Sequence, residues 1–273
     1  MAYVGTRLGR WFYEERGKAK SSDKTAIVLL HGLLFDGGSW KNQVGPLSEL
    51  GRVVVFDGPG HGKSEVPPIF TLDEHADALA DALAELEIER AVLVGLSWGG
   101  MLAMRFALRH PKRLVAMALL DTSAERHPRL ERVRDRGFAI FHELVGLPYF
   151  LYEKRLAPLM FCKKTRRENP ELVRSTGLTL LGFDRRGVSR AAMAVVVNRD
   201  NVLPRMSEVR AKTLVICGRE DAATPLPKSE NLARAIAGAT LVVVPDAGHM
   251  SSLEQPERVN LALVPFVRDA LQA

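Results

Sequence analysis

The sequence around Ser97 has the spacing of a serine nucleophile. Gly95, Ser97 and Gly99 occupy the fixed positions of the pattern Gly-x-Ser-x-Gly, directly after a short aliphatic run. In this pattern a strand turns sharply into a helix and holds the serine in a strained conformation, which requires small residues on both sides. The helix that begins at Trp98 would direct its backbone N–H groups and positive dipole end at the group under attack. Because Gly and Ser are common, the pentapeptide alone also fits an ordinary corner between strand and helix.

A serine hydroxyl also needs a base within hydrogen-bond distance and a carboxylate that holds this base in the right tautomer. Two later aliphatic runs end at suitable groups, since Asp221 follows residues 213–217 and His249 follows residues 240–244. Parallel strands bring such groups together at their carboxyl ends. The three placements together predict a catalytic triad of Ser97, Asp221 and His249.

Other acids and histidines offer alternatives to these assignments. Asp121 also ends an aliphatic run and is the alternative acid, whereas Glu220 and Asp246 are expected to face solvent. His31 and His61 lie next to glycines in loops, where we expect them to brace the loops through hydrogen bonds. The remaining histidines are expected on helical segments, at the surface or with satisfied hydrogen bonds: His75, His110, His127 and His142.

Acyl transfer requires two further hydrogen-bond donors that point at the developing oxyanion. The backbone N–H of Trp98 is one expected donor, and that of Leu33, after His31-Gly32, is the other. Removing one such donor typically costs about 3 kcal/mol of transition-state stabilisation. Because the backbone supplies both donors, the side chains of Leu33 and Trp98 are expected to shape an apolar pocket. Trp40 is expected to anchor its helix by packing.

The loop at residues 58–64 ends like a phosphate-binding loop. The pattern Gly-x4-Gly-Lys-Ser requires Gly at position 57, however, and this chain has Asp57. The Glu-Val-Pro-Pro that follows Ser64 would not start the helix that holds a phosphate, so nucleotide binding is not expected. The sequence contains neither His-Glu-x-x-His nor Cys-x-x-Cys, so it implies no metal and no other cofactor. Cys162 and Cys217 lie far apart and are expected to be inert thiols in a reducing compartment.

The segments that position these groups alternate between strand and helix. Residues 7–17 predict an opening strand or hairpin, and a 3.6-residue apolar stripe predicts an amphipathic helix at 72–88. Short apolar runs typical of strands buried on both faces lie at 25–30, 52–56, 92–96, 114–120, 213–217 and 240–244. Such alternation predicts the α/β class, a mostly parallel doubly wound sheet with right-handed crossovers and helices on both faces.

The alternation stops between residues 123 and 207. This segment is helical, rich in Arg and interrupted by prolines, which predicts a helical insertion in a core formed by residues 1–122 and 208–273. The insertion carries a formal charge of +8, while the rest of the chain carries −2. Since acids and apolar residues are interspersed, a solvated helical face is favoured over a nucleic-acid surface. A field that attracts anionic substrates is a third possibility.

The composition, with 47% hydrophobic and 26% charged residues among 273, is typical of a globular protein. Residues 1–15 contain no apolar segment of the kind that secretory signals need, and no apolar run approaches the roughly 18 residues of a membrane span. We therefore expect a cytoplasmic protein whose partner is a small molecule rather than a membrane or a nucleic acid. The sequence leaves the oligomeric state open.

These features resemble the α/β-hydrolase superfamily along nearly the whole chain. The motifs that carry the resemblance are His31-Gly32, Asp57-x-x-Gly60-x-Gly62-x-Ser64, Gly95-Leu-Ser97-Trp-Gly99-Gly100, Gly218-x-x-Asp221-x-x-x-Pro225 and Gly248-His249-x-x-x-x-Glu254-Gln-Pro256. The last three are most similar to those of 3-oxoadipate enol-lactonases, cofactor-free haloperoxidase-type esterases and carbon–carbon bond hydrolases. The resemblance implies that the insertion is a cap that covers the site and sets the substrate. Leu96 stands where carbon–carbon bond hydrolases usually have Asn, which disfavours that activity.

The resulting hypothesis is a serine hydrolase that cleaves a carboxylic ester or lactone with a largely apolar acyl part, through an acyl-enzyme on Ser97. The basic insertion makes an anionic lactone a further option. Alternatives that use the same triad are a cofactor-free perhydrolase or lyase, and a carbon–carbon bond hydrolase. A small-molecule receptor that keeps the triad, like plant hormone sensors of this fold, is another alternative.

Overall fold

A computed structural model of the chain describes residues 2–17 and 24–272. Its eight strands form one sheet with the order β1-β2-β4-β3-β5-β6-β7-β8. The strands are β1 Ala2–Thr6, β2 Gly9–Arg16, β3 Thr25–Leu30, β4 Val53–Phe56, β5 Arg90–Leu96, β6 Leu114–Leu120, β7 Lys212–Gly218 and β8 Thr240–Val244. Strands β3 to β8 pair in parallel, whereas β2 runs antiparallel to both β1 and β4. The predicted mostly parallel α/β sheet is therefore confirmed, and its opening hairpin begins at Ala2.

Helices cover both faces of this sheet. They are α1 Val44–Ser48, α2 Leu72–Glu85, α3 Trp98–Arg109, α4 Arg129–Val145, α5 Tyr149–Leu151, α6 Ala157–Met160, α7 Lys163–Glu168, α8 Pro170–Leu181, α9 Arg185–Ala192, α10 Leu226–Ala235, α11 Ser251–Glu254 and α12 Pro256–Gln272. Successive residues of a central strand pack on opposite faces: Leu93 joins the apolar cluster beneath α2 and α3, and Val92 joins the cluster beneath α12. A strand that is buried on both faces needs a continuous apolar run, which is why the sequence marks these strands so clearly.

Between β6 and β7 the described chain is helical, as the sequence predicts. A π-helical turn at Tyr152–Leu156 joins α5 to α6, and a second at Met193–Val197 continues α9. We refer to residues 123–207 as the helical segment. It has polar anchors of its own, such as the buried Tyr152, whose hydroxyl donates to the Val173 carbonyl at 2.6 Å. None of the described helices is long and apolar enough to cross a membrane.

Two glycines face each other where the helical segment meets the loop after β4. A Cβ built on Gly187 would lie 2.5 Å from the carbonyl oxygen of Gly60, and a Cβ on Gly60 would lie 2.6 Å from Cα of Gly187. Backbone therefore packs directly on backbone at this contact. Only a residue without a side chain fits at either position.

The glycine-rich loop after β4 closes around an aspartate. The carboxylate of Asp57 accepts the backbone N–H groups of Gly37 and Lys63, both at 2.8 Å. A Cβ on Gly62 would lie 2.1 Å from the same carboxylate. Asp57, the residue that breaks the phosphate-loop pattern, is thus the group around which this loop folds.

Candidate active site

Ser97 lies on a strained turn between β5 and α3. Its φ and ψ angles are 50° and −109°, a conformation that costs a non-glycine residue on the order of 1–3 kcal/mol. The turn is held from β6, because the Ser97 N–H donates to the Leu120 carbonyl at 2.8 Å and the Thr122 hydroxyl donates to the Ser97 carbonyl at 2.7 Å. The two flanking glycines are required by close packing. A Cβ on Gly95 would lie 2.3 Å from the Gly99 carbonyl carbon, and one on Gly99 would lie 2.0 Å from the Leu30 carbonyl oxygen.

The structure brings the three residues of the predicted triad together. Nε2 of His249 lies 2.9 Å from Oγ of Ser97, and Nδ1 lies 2.9 and 3.0 Å from the two carboxylate oxygens of Asp221. Ser97, Asp221 and His249 follow β5, β7 and β8, so the shared edge of the sheet explains their meeting. The geometry is that of a nucleophile, a base and the carboxylate that orients the base.

The Asp221 carboxylate is held by its own loop. One oxygen accepts the N–H groups of Ala223 and Thr224 at 2.9 and 2.8 Å, and the other accepts the Thr224 hydroxyl at 2.8 Å. Burial alone would lower the pKa of His249, but the charge of Asp221 and its hydrogen bond outweigh burial and raise that pKa above its ordinary value. The imidazolium that forms when neutral His249 accepts a proton is thereby stabilised, which strengthens His249 as a general base.

Asp121, the alternative acid, lies in a different environment. Its carboxyl accepts the Gly218 N–H at 2.7 Å and the Ser251 hydroxyl at 2.5 Å, and the structure places His249 on Asp221 instead. Burial, together with the charge of Asp221, raises the pKa of Asp121 to about 8. Asp121 therefore ties the end of β7 and the start of α11 to the end of β6.

Asp121, Cys217 and Asp221 also form a group whose ligand atoms all lie within 4.8 Å of one another. Burial raises the pKa of the Cys217 thiol to about 12, so this sulfur keeps its proton, whereas a metal ligand must lose it. The Asp221 carboxylate is committed to His249 and Thr224. The cluster does not fit a metal ion.

The two expected oxyanion donors have free backbone N–H groups. The neighbouring groups are occupied, because the Leu34 N–H donates to His61 Nε2 at 3.2 Å and the Gly99 N–H donates to the His31 carbonyl at 3.1 Å. Within the described residues, the N–H groups of Leu33 and Trp98 donate to no acceptor. The two segments adjoin at Ser97, since a Cβ on Gly32 would lie 3.5 Å from Cβ of Ser97.

The side chains of these two residues differ in their surroundings. Leu33 lines the cavity next to Ser97, as predicted, but the expectation that the Trp98 indole also lines it is wrong. The indole is 1% exposed and packs with ring centroids 5.0–5.7 Å from three histidines. The Trp98 side chain packs between α2 and the loops after β3 and β4. There it contacts His31 and His61 of the loops and His75 of α2.

Two of these histidines brace loops, which confirms the prediction. His31 Nε2 accepts the Gly58 N–H at 2.6 Å, and His61 Nε2 accepts the Leu34 N–H. The expectation for the helical histidines is partly wrong, because His75 and His142 are buried and neither has a hydrogen-bond partner within the described chain. His127 precedes α4 rather than lying within it. Helical periodicity alone did not reveal that neighbouring elements cover these positions.

A cavity of about 210 Å³ opens at Ser97 and His249. On the sheet side its walls come from the loop after β3, from Met101 of α3 and from the Asp221 loop. The helical segment supplies the other wall: His127, Leu156, Leu159, Met160, Val195, Val196 and Arg199. The lining is mainly apolar, and Arg199 is a buried cation within it. No motif distinguishes it from the other arginines of the segment, which has 14 in all.

One carboxylate joins the loop that contains His249 to the helical segment. Glu254 accepts the N–H of Gly248 at 2.7 Å with one oxygen and that of Cys162 at 2.8 Å with the other. The Met250 N–H also donates to the Met160 carbonyl at 3.1 Å. A Cβ on Gly248 would lie 2.7 Å from the Cys162 nitrogen, so this glycine admits the helical segment next to His249.

Comparison with known proteins agrees with this architecture. Residues 27–262 match the model of the alpha/beta hydrolase family. The 2-hydroxy-6-oxo-6-phenylhexa-2,4-dienoate hydrolase of Comamonas testosteroni is 28% identical over 94% of this chain and 90% of its own length. A thermophilic esterase from Thermogutta terrifontis superposes with a TM-score of 0.90 at 30% identity, covering 98% of each chain. The enol-lactonase from Burkholderia xenovorans LB400 does so with a TM-score of 0.88 at 27% identity over both full chains.

The resemblance predicted from the motifs is confirmed by these matches, which include an enol-lactonase and an esterase. The family match covers most of the residues, and the sheet order and the strained turn at Ser97 agree with it. The chain belongs to the alpha/beta hydrolase family.

Proposed function

We propose that this chain is a serine hydrolase that cleaves a carboxylic ester or lactone through an acyl-enzyme on Ser97. The observation that carries the proposal is the continuous hydrogen-bonded path from Ser97 Oγ through His249 to the Asp221 carboxylate, with 2.9 Å at each step. This path opens into an apolar cavity of a size that suits a small to medium acyl group.

In the first half of the proposed reaction, Ser97 Oγ attacks the substrate carbonyl while Nε2 of His249 takes the hydroxyl proton. The carbonyl oxygen gains a negative charge, which the N–H groups of Leu33 and Trp98 stabilise. His249 then returns the proton to the leaving alcohol or enol oxygen, and the carbon–oxygen bond breaks. A lactone keeps its leaving group attached to the acyl chain.

In the second half, His249 activates a water molecule that attacks the acyl-enzyme carbonyl. The same two N–H groups stabilise the second oxyanion, and the proton passes from His249 to Ser97 as the free acid leaves. Asp221 stays ionised throughout and holds Nδ1–H, so that Nε2 always faces the reacting atoms. We further propose that the helical segment is a cap on a core formed by residues 1–122 and 208–273.

Hydrolysis of p-nitrophenyl acetate and p-nitrophenyl butyrate tests the proposal. The unmodified protein should turn over repeatedly, and Ser97→Ala should lower kcat by roughly 10⁴- to 10⁶-fold because no acyl-enzyme forms. Activity that survives Ser97→Ala would overturn the nucleophile assignment. One burst without turnover would point to a receptor, and activity that requires peroxide would point to a perhydrolase.

A carbon–carbon bond hydrolase is the second candidate, because a relative with 28% identity cleaves 2-hydroxy-6-oxo-6-phenylhexa-2,4-dienoate according to its name. Against this candidate, the buried Leu96 precedes the nucleophile. The same dienoate, assayed beside the esters, separates the two candidates. Faster turnover of the dienoate than of any ester would favour the carbon–carbon bond hydrolase.

A further inference from the structure

Arg199 is a buried cation in the wall of the cavity that contains Ser97. It is 4% exposed, and it follows the π-helical turn Met193–Val197 at the end of the helical segment. Its Nη1 lies 2.7 Å from Sδ of Met101, which also lines the cavity. Among the described residues, Arg199 forms no ion pair, although an uncompensated buried charge costs several kcal/mol.

The unpaired part of Arg199 is one complete edge of the guanidinium group. Nε and Nη2 are both buried and have no hydrogen-bond partner within the described chain. The same edge binds carboxylates elsewhere in this protein, since Arg205 donates from Nε and Nη2 to the two oxygens of Glu208 at 2.9 and 3.0 Å. Two parallel N–H groups on a planar fork match the two oxygens of one carboxylate.

The acids near Arg199 are already engaged. Asp200 pairs with Arg105, and Glu125, whose charge acts on Arg199 without forming an ion pair with it, accepts the Asn231 amide at 2.9 Å. The described residues that line the cavity include neither Asp nor Glu. Burial and the nearby Arg105 lower the pKa of Arg199 to about 10, so the side chain stays charged at neutral pH. The cavity thus has a positive charge without a balancing acid of its own.

We propose that Arg199 binds a carboxylate of the substrate, so that the ester or lactone cleaved at Ser97 carries a second, ionised acid group. This inference rests on the proposed function. Met101, which contacts Arg199, follows Ser97 by one helical turn, and its N–H donates to the Ser97 carbonyl at 3.0 Å. Ser97, Met101 and Arg199 line the same cavity, so a substrate that is attacked at Ser97 lies in the cavity that Arg199 borders. Half-esters of dicarboxylic acids and lactones with a carboxylate arm carry such a second acid group.

The test compares two matched substrates, p-nitrophenyl hexanoate and p-nitrophenyl hydrogen adipate, in which a carboxylate replaces the terminal methyl group. The unmodified protein should have the higher kcat/KM for the adipate half-ester. Arg199→Met should lower the adipate-to-hexanoate ratio roughly tenfold to a hundredfold, mainly through KM, since a charge-assisted pair is lost. Arg199→Lys, which keeps the charge without the fork, should give a smaller loss.

The matched control is Arg129→Met, which removes an exposed arginine of the same segment outside the cavity and should leave the ratio unchanged. A ratio near one in the unmodified protein, or one that Arg199→Met does not alter, would overturn the proposal. It would mean that Arg199 only fills space.

Binding to the Ser97→Ala variant separates this proposal from the proposed function, because it needs no turnover. Calorimetry should show that monomethyl adipate binds more tightly than methyl hexanoate, and that adding Arg199→Met removes the difference. If no ester is hydrolysed but this difference appears, the carboxylate site stands and the ester hydrolase fails. If esters are hydrolysed and the binding difference is absent, the carboxylate site fails alone.

Discussion

The two walls of the cavity differ in how completely their polar groups are paired. On the sheet side, Asp221, His249 and Asp121 each have hydrogen-bond partners that fix them in place. On the wall from the helical segment, the buried Arg199 has one free edge within the described residues. Fully paired groups hold a fixed geometry, which suits bond cleavage, whereas an unpaired buried cation is complementary to a ligand that the chain itself does not provide.

The largest expected effect breaks the pairing on the sheet side. Asp221→Asn should lower kcat for p-nitrophenyl butyrate by about 10⁴-fold, because an amide N–H in place of a carboxylate oxygen leaves His249 in the wrong tautomer. The melting temperature should change little, as the fold around the loop is kept. Glu220→Gln, which alters the exposed neighbouring acid, is the control and should retain activity. A loss below tenfold would mean that Asp121 serves as the acid.

The next prediction concerns the contact between the helical segment and the loop after β4. Gly187→Ala places a Cβ 2.5 Å from the Gly60 carbonyl oxygen, which belongs to the backbone and not to a flexible side chain. We expect a loss of about 1–3 kcal/mol in the free energy of unfolding, together with altered KM, because the segment must move away from the sheet. Urea unfolding and ester kinetics measure the two effects.

Gly137→Ala is the matched control for that substitution. Gly137 lies inside α4, and a Cβ there meets nothing within 4 Å. Alanine should therefore stabilise the protein by about 0.5–1 kcal/mol through helix propensity. Equal effects of the two substitutions would show that the Gly60–Gly187 contact does not hold the segment in place.

The last prediction concerns His75, a buried histidine beneath the sheet-side loops that has no hydrogen-bond partner within the described chain. Burial lowers the pKa values of His75 and His61 to about 3. Between pH 6.5 and pH 3 each of these two histidines is protonated in the unfolded chain but neutral in the folded one. The free energy of unfolding therefore falls with decreasing pH by about 1.4 kcal/mol per pH unit for each histidine.

Substituting His75 therefore isolates its contribution to acid unfolding. His75→Phe keeps an aromatic ring against Trp98 and removes the titrating group, so the melting temperature should depend less steeply on pH below 6.5. His110→Gln, which alters a histidine bonded to Asp77 at the surface, should leave that slope closer to the wild-type value. An unchanged slope in His75→Phe would contradict the assignment.

The two walls also differ in what the sequence reveals about them. Strands β6 and β8 have the predicted bounds of residues 114–120 and 240–244, because burial on both faces leaves a continuous apolar run. Asp221 and His249 could be picked out since each lies in the loop after such a strand. Helical periodicity, in contrast, defines one apolar stripe and not the element it meets, so the burial of His142 had no local signal. Arg199 lies in a loop beyond the last helix of that wall, where no periodic pattern applies.

The Glu254 carboxylate accepts hydrogen bonds from both Gly248 and Cys162. These bonds limit how the helical segment can be exchanged between related enzymes. The backbone at residues 160–162 bonds to Met250 and to Glu254, which also accepts the Gly248 N–H, so it helps to position His249. A chimera that receives helices from another hydrolase must reproduce this junction to keep its base aligned. An exchange of the helical segment should therefore include residues 160–162, which support the loop that contains His249.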